Sequence, residues 1–367
     1  MRGDARPAVL VGGLTGSPGG KEAFILAAFR LLRHRYAFTF LADRDVIAHE
    51  AELVASGAQV VRVASRRRHP FRFLRDVHQV IQRGRFHAVW LHQTVISTIE
   101  PLLFARWAGV PVRILHSHSS ANMSGRVSGL LHRLQRPLAR RLANRRFACS
   151  AEAARWFFGH AAWTFVPNVF DPAPFTFDAT CRTNMRRALG LADDELAVIH
   201  VARLGPAKNH AFSLQVMAEL QRLGIPACLL LSGDGPYRTA LEAAAAQAGL
   251  TGCVRFLGQR SDVPDLLQAA DVMILPSTFE GLPYVALEAQ AAGLPLLLSE
   301  AVSVSADAGG DVRFVPLVEG PQKWARLIAT VTSSPPNRGR NVIIGSDFDA
   351  TAAQPRFEAL LAVGEAT

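Results

Sequence analysis

Short apolar runs of strand length alternate with amphipathic helical stretches through the first half of this 367-residue chain, and midway the alternation begins again. Ala8–Val11, Phe38–Leu41, Val60–Val63, Ala88–His92 and Pro111–Leu115 read as strands. Between them Lys21–Leu32 sets Phe24, Ala27, Ala28 and Leu31 on one helical face, and Ile47–Ser56, Phe71–Arg83 and Thr98–Trp107 also suit helices. The second series of strands is Ala197–Val201, Ala227–Leu231, Val254–Leu257, Val272–Leu275 and Pro295–Leu298. Its helices are expected near Ala211–Arg222, Tyr237–Ala248, Val263–Ala269 and Tyr284–Ala292. Such alternation specifies an α/β fold with doubly wound parallel sheets, and the length holds two of them. Val166-Pro167-Asn168 and the proline-rich Asp171–Pro174 mark the connector. The expected organisation is therefore a first Rossmann-like domain over 1–168, a second over 169–345, and a C-terminal segment, 346–367, returning to the first. That segment carries a helical stretch, Thr351–Val363, after low-order residues Ser333–Arg340.

Composition narrows the class. Hydrophobic residues make up 49% and charged residues 19%, enough apolar material for a large core. Four scattered cysteines form no C-x-x-C pair, which argues against zinc knuckles or a disulfide framework and for a reducing cytosol. No apolar run approaches the ~20 residues of a membrane span, and Ala8–Val11 reads as a strand, not a signal peptide. A soluble, unexported protein is expected.

The net charge of +10 is unevenly divided. Residues 1–170 hold 25 Lys and Arg against 9 Asp and Glu, whereas residues 171–367 hold 15 against 21. Clusters at Arg66–His69 with Arg72 and Arg75, and at Arg133–Arg146, make the first half a candidate for an anionic membrane surface. They lack interleaved aromatics and accompany no nucleic-acid-binding motif, so nucleic acid is not expected.

Open α/β sheets bind ligands at the carboxyl ends of their strands, so the strand-to-helix loops carry the functional question. Four of them are polar. Gly12–Gly20 is glycine-rich, permitting close backbone approach ahead of a helix N-terminus. It matches neither the dinucleotide fingerprint nor the P-loop, since Lys21 is followed by Glu22. His116-Ser117-His118 places two imidazoles at a strand end. Arg203 and Lys208 share the loop after the second half's first strand, a fork and a point charge suited to a diphosphate. Glu280-Gly281-Leu282-Pro283 precedes a helix that carries Glu288, and its positive end suits a phosphate.

Glu280-x7-Glu288 with Gly281-Leu282-Pro283 resembles the signature of family 4 retaining glycosyltransferases of the GT-B fold, and in particular bacterial members that assemble polysaccharides. Further segments follow in the family's order: Pro18-Gly19-Gly20, Arg113–His118, Phe147–Ser150, Val166–Asn168, Arg203–His210, Gly233–Pro236 and Leu257–Val263. The likeness spans about residues 8–330. Ala202 and Val169 stand where the family usually has glycine, and the sequence beyond about Ser299 fits less well.

The resemblance implies two Rossmann-like domains facing a cleft. It also implies transfer of a sugar from a nucleotide-sugar, expected to be UDP-linked, to a glycan or lipid-linked saccharide in surface polysaccharide synthesis. Arg203 and Lys208 would hold the diphosphate, Glu288 the ribose, and Glu280 with the Gly281-Leu282 backbone the donor sugar. Gly233 and Gly235 would admit the nucleotide, Arg260 and Val263 would flank its base, and Gly19 and Gly20 would lie near the phosphates. His116 or His118 would approach the reacting sugar, a choice that spacing leaves open. No cofactor or metal is expected, because fixed cations can stabilise the departing diphosphate. Asp43-Arg44-Asp45 and Asp347-Phe348-Asp349 fit D-x-D but lie outside the matching donor segments. The implied location is cytoplasmic, at the inner face of the cytoplasmic membrane. A non-catalytic nucleotide-sugar-binding scaffold and a nucleotide-sugar epimerase of the same fold are the alternatives, and the intact charged set disfavours the scaffold.

Overall fold

The computed structural model describes residues 6–121, 125–333 and 338–362. Residues 334–337 of the low-order stretch, and Val363 at the end of the expected terminal helix, lie outside them. The chain divides into two units, Met1–Phe170 with Ala350–Thr367, and Asp171–Asp349.

The first unit runs β1 (Ala8–Gly12), α1 (Gly20–Leu32), β2 (Ala37–Ala42), α2 (Glu50–Ala55), β3 (Gln59–Arg62), α3 (Pro70–Gly84) and β4 (Ala88–Gln93). It continues through α4 (Glu100–Trp107), β5 (Val112–Ser117), α5 (Arg126–Leu142), β6 (Arg145–Ala148), α6 (Ala151–Phe158) and β7 (Thr164–Phe165). Its seven strands are all parallel, in the order β3-β2-β1-β4-β5-β6-β7. β1 and β4 are buried almost throughout, which is why they read as unbroken apolar runs rather than alternating ones.

The second unit opens with α7 (Ala179–Ala188), β8 (Leu196–Val201), α8 (His210–Arg222), β9 (Ala227–Ser232), α9 (Arg238–Gln247) and β10 (Val254–Gly258). It ends with α10 (Val263–Ala269), β11 (Val272–Leu275), α11 (Tyr284–Ala291), β12 (Leu296–Ser299), β13 (Val312–Val315) and α12 (Gly320–Val331). Six parallel strands are ordered β10-β9-β8-β11-β12-β13. The region after Ser299, which fits the resemblance poorly, forms an ordinary edge strand and a helix packed on α8.

A last helix, α13 (Ala350–Leu361), packs against α1 of the first unit. His34 and Arg35 meet Glu358, Arg145 donates to the Leu360 and Ala362 carbonyls, and Phe357 lies 5.9 Å from Phe24. Arginine also ties down the chain leading to α13. Arg338 is buried and donates to the carbonyls of Leu267, Gln268, Ala270 and Ala292. Burial, and then neighbouring Arg182, lower its pKa to about 10, so it remains charged at neutral pH. Replacing Arg338 with Met strands several buried carbonyls, and should cost the second unit about 3–5 kcal/mol. A urea-unfolding midpoint close to wild type would refute this.

Candidate active site

In each sheet the chain order reverses beside the first strand. β1 lies between β2 and β4, and β8 between β9 and β11. The crevice outside the carboxyl ends at such a switch point is where this architecture accepts ligands. Of the candidates, Gly19, Gly20, Arg203, Lys208, Glu280, Gly281 and Leu282 lie there, after β1, β8 and β11, whereas His116, His118, Gly233, Gly235, Arg260 and Val263 lie at the ends of β5, β9 and β10, and Glu288 within α11.

In the second unit the loop after β8 presents Arg203, exposed and, among the described residues, without an ion-pair partner. Lys208 ends a short 3-10 turn, and Asn209 turns the chain into α8 with φ of 54°. The loop after β11 folds onto this turn, Thr278 donating its backbone N–H to the Ala207 carbonyl at 2.9 Å. That docking sets Lys208 Nζ against Glu280 Oε1 as an ion pair, with Ser277 Oγ donating to the same oxygen at 3.3 Å. Both charged side chains are largely shielded from solvent. Pro283 is the N-cap of α11 and lies one position before the first turn expected of it. Glu288 lies in the second turn of α11. Desolvation of its half-buried carboxyl pushes the pKa up to about 7.

Gly233 and Gly235 face backbone. A Cβ at Gly233, whose φ is 142°, would stand 2.0 Å from the Ala202 carbonyl oxygen, and one at Gly235 2.3 Å from that of Leu204. Their close approach is therefore to the loop that carries Arg203. Ala202 N–H donates to Ser232 and Leu204 N–H to Asp234, which locks the two loops together. Arg260 turns its guanidinium onto Asp262 through two hydrogen bonds, and Val263 begins α10 beside it. Beneath the Arg203–Lys208 loop, His200 and His210 stack at 4.1 Å, with His200 Nδ1 2.9 Å from Ser213 Oγ. Burial, and then neighbouring Lys208, lower the His210 pKa to about 4. Sequence reading did not single out this imidazole pair.

In the first unit Gly13 has φ of 109°, and a Cβ there would come within 1.9 Å of the His92 carbonyl oxygen. Gly19 is the extended N-cap of α1 and Gly20 its first residue. Glu22 accepts from Thr15 N–H and Oγ1 at 3.2 and 2.8 Å, and pairs with Lys21 at 3.2 Å. Lys21 also donates to the Gly13 carbonyl, and burial lowers its pKa despite Glu22. This lysine, dismissed on P-loop spacing, is thus held inside the glycine loop.

His92 and His116 are paired across β4 and β5, and His92 Nδ1 lies 2.9 Å from His118 Nε2. His116 is fully buried under Phe24, with burial lowering its pKa to about 3, whereas His118 reaches solvent. Burial also holds His92 and His118 well below the usual histidine value. His92, overlooked in the sequence although it ends a strand, is the third member of this cluster. The three side chains can bring ring nitrogens within 4.8 Å of one another. In this arrangement the 2.9 Å contact is a hydrogen bond between rings that burial keeps neutral. Beside them a cavity of about 340 Å³ is lined by Gly13, Lys21, Asp43, Arg44, Gln93 and Thr98 among others.

Two doubly wound units, a helix returning to the first, and paired basic and acidic loops on the second define the class: a GT-B glycosyltransferase. The family model for glycosyl transferases group 1 matches residues 182–340. EpsF of Bacillus subtilis, described as a glycosyltransferase, is 36% identical over 330 residues, covering 86% of this chain and 85% of EpsF. The chain belongs to the group 1 glycosyltransferase family, and it is a glycosyltransferase. A structure of HepE from Anabaena in complex with UDP and glucose superposes with TM-score 0.79 at 21% identity, covering 97% of this chain and 99% of that one. An Escherichia coli relative named UDP-Gal:alpha-D-GlcNAc-diphosphoundecaprenol alpha-1,3-galactosyltransferase is 24% identical over 234 residues, 61% of this chain and 60% of its own.

The glycine contacts generate a direct test. Gly233→Ala should lower stability by about 2–3 kcal/mol, because strain and a backbone clash coincide. Gly252→Ala, which meets nothing within 4 Å, should leave the melting temperature nearly unchanged. Equal effects of the two would remove the argument.

Proposed function

We propose that this glycosyltransferase is a retaining enzyme that moves a sugar from a UDP-sugar to a lipid-linked saccharide during assembly of a bacterial surface polysaccharide. The Lys208–Glu280 ion pair carries the reading, since it joins a cation for the diphosphate to a carboxylate for donor-sugar hydroxyls. Cleaving the sugar–phosphate bond builds negative charge on the departing diphosphate and positive charge on the anomeric carbon. Arg203 and Lys208 stabilise the first, and Glu280 with the Gly281-Leu282 backbone holds the sugar. Glu288 accepts the ribose hydroxyls, while the backbone about Val263 and the end of β10 frames the base, Arg260 being engaged by Asp262. No cofactor or divalent metal takes part.

The acceptor occupies the cavity beside Lys21, Gln93 and Thr98, with His118 nearest the reacting hydroxyl and His116 and His92 supporting it. Gly19 and Gly20 shape the wall of that loop and leave room for phosphate. The UDP and glucose bound to HepE and the diphosphoundecaprenol acceptor in the E. coli relative's name support this choice of substrates. The enzyme works in the cytoplasm at the inner face of the membrane, its basic first unit attracted to anionic lipid. None of the described helices is long and apolar enough to cross a bilayer.

Thermal-shift titration with UDP, GDP and NAD tests the donor site. UDP should raise the melting temperature by mass action, and Arg203→Ala with Lys208→Ala should abolish the shift. A response to NAD alone would sink the reading. Turnover of a UDP-sugar should survive EDTA, and the product's anomeric coupling should match the donor's.

Glu288 makes the donor site pH-sensitive. Its raised pKa means the folded state holds a proton that the unfolded state releases, so its contribution to stability falls as pH rises from about 4.5 through about 7. Glu288→Gln should therefore melt higher than wild type at pH 8, with the difference shrinking at pH 5. UDP affinity, which uses the ionised carboxylate, should rise with pH in wild type and stay flat in the variant.

A further inference from the structure

Helix α5 presents an apolar stripe to solvent. Val127, Leu130, Leu134 and Leu138 are 75%, 58%, 67% and 45% exposed, far beyond what one stray surface leucine would show. Their spacing of three and four residues aligns them along one face, while His132, Ala139 and Leu142 bury the opposite face against the unit. Arg126, Arg133 and Arg140, seven residues apart, run along one flank of the stripe, and Arg136 and Arg141 add to the basic character. At 17 residues the helix is about 25 Å long, so the stripe extends over several turns.

The neighbourhood selects what covers this face. Between Glu100 and Glu152 the sequence holds nine arginines and no acidic residue. Helix α4 packs against α5 and ends in Trp107, 65% exposed, a side chain suited to a lipid–water boundary. A protein partner of ordinary surface would need matching carboxylates opposite every arginine. An anionic bilayer supplies both halves of the complement, acyl chains for the leucines and headgroup phosphates for the guanidiniums. Arginine stems also lie comfortably along apolar surface while their heads stay with the phosphates.

We infer that α5 is an interfacial anchor, lying in the plane of an anionic membrane with Val127, Leu130, Leu134 and Leu138 below the headgroups and the arginines at them. The inference rests on the peripheral-membrane reading above and makes it specific. Attachment is then not merely electrostatic. Arginines draw the protein to the surface, and apolar burial of the stripe retains it when salt screens the charges. Because α5 and the histidine cluster belong to the same unit, the anchor also ties the site's histidine end to the height of a lipid-borne acceptor.

The experiment uses the full chain and flotation with phosphatidylglycerol-containing vesicles at low and high salt. Wild type should float, and should partly persist at high salt. Leu130→Gln with Leu134→Gln should reduce partitioning about tenfold or more, since two leucines no longer bury. Both residues are exposed, so the melting temperature and UDP response of this variant should stay at wild-type values, which separates loss of anchoring from misfolding. As a second readout, Leu134→Trp should show a blue-shifted emission on anionic vesicles and none on neutral ones. Wild type that floats together with an equally floating double variant would overturn the anchor while leaving the peripheral reading intact. Failure of wild type to float would overturn both. A dimer in sedimentation that the double substitution dissociates would also overturn the anchor and assign the stripe to a second copy.

Discussion

Two backbone contacts with no room for a Cβ hold the strand-end loops where chemistry can use them. In the first unit Gly13 presses on the His92 carbonyl, joining the loop after β1 to the end of β4. In the second, Gly233 presses on the Ala202 carbonyl, joining the loop after β9 to that after β8. Both glycines have positive φ, so conformation and space independently exclude another residue. From the first contact follows the position of Lys21 against Gly13, and from the second the backbone on which Arg203 stands. The Lys208–Glu280 pair adds a third fastening, between the loops after β8 and β11. In each unit the strand-end loops are thus held by gripping one another, and the sheet supplies only the frame.

Burial then sets the charge state. His92, His116 and His118 are clustered beneath α1, where desolvation keeps the rings neutral across the physiological range. His118, the solvent-reaching member, is orientated by His92, leaving an imidazole that exchanges hydrogen bonds without bringing a charge into the crevice. The second unit repeats the device with His200 and His210 beside the loop that carries Arg203 and Lys208. There a protonated imidazole would repel Lys208. Neutral histidines leave Arg203 and Lys208 as the cationic groups of that loop.

Much of the fold was legible because a parallel strand buried on both faces must be a continuous apolar run. β1, β4, β8, β9, β11 and β12 all satisfy that rule, and their helices have clear faces. α5 escaped because its periodicity is split between a sparse buried face of His132, Ala139 and Leu142 and an exposed apolar stripe, and its arginines drew attention only as a charge cluster. In the site, Arg203 and Lys208 stand out in the sequence because basic residues are few in that half, and Glu280 and Glu288 through the spacing of the family signature they resemble. Their pairing did not, because the contact between Lys208 and Glu280 crosses 72 residues. His92 and Lys21 were missed for a similar reason: each acquires meaning only when the sheet order sets β1 beside β4. Gly233 and Gly235 were visible, but their nearest partner is another loop's backbone, which spacing does not reveal.

The use of basic residues follows a division that the physics explains. Of the 40 lysines and arginines only three are lysine, Lys21, Lys208 and Lys323. Arginine does the structural work. Arg113, Arg145, Arg182, Arg186 and Arg338 each donate to backbone carbonyls at helix ends or in the tail, using a planar fork that satisfies several acceptors at once. An ammonium could not span those acceptors. Two of the three lysines stand instead near strand ends, Lys21 in the first turn of α1 and Lys208 in the loop after β8, where a compact charge on a flexible stem can change partners. Lys21 is divided between Glu22 and a carbonyl, and Lys208 is held by Glu280. Neither is bound through a rigid bidentate geometry. Releasing either toward an incoming anion therefore exchanges one ion pair for another, with no refolding of the loop that carries it.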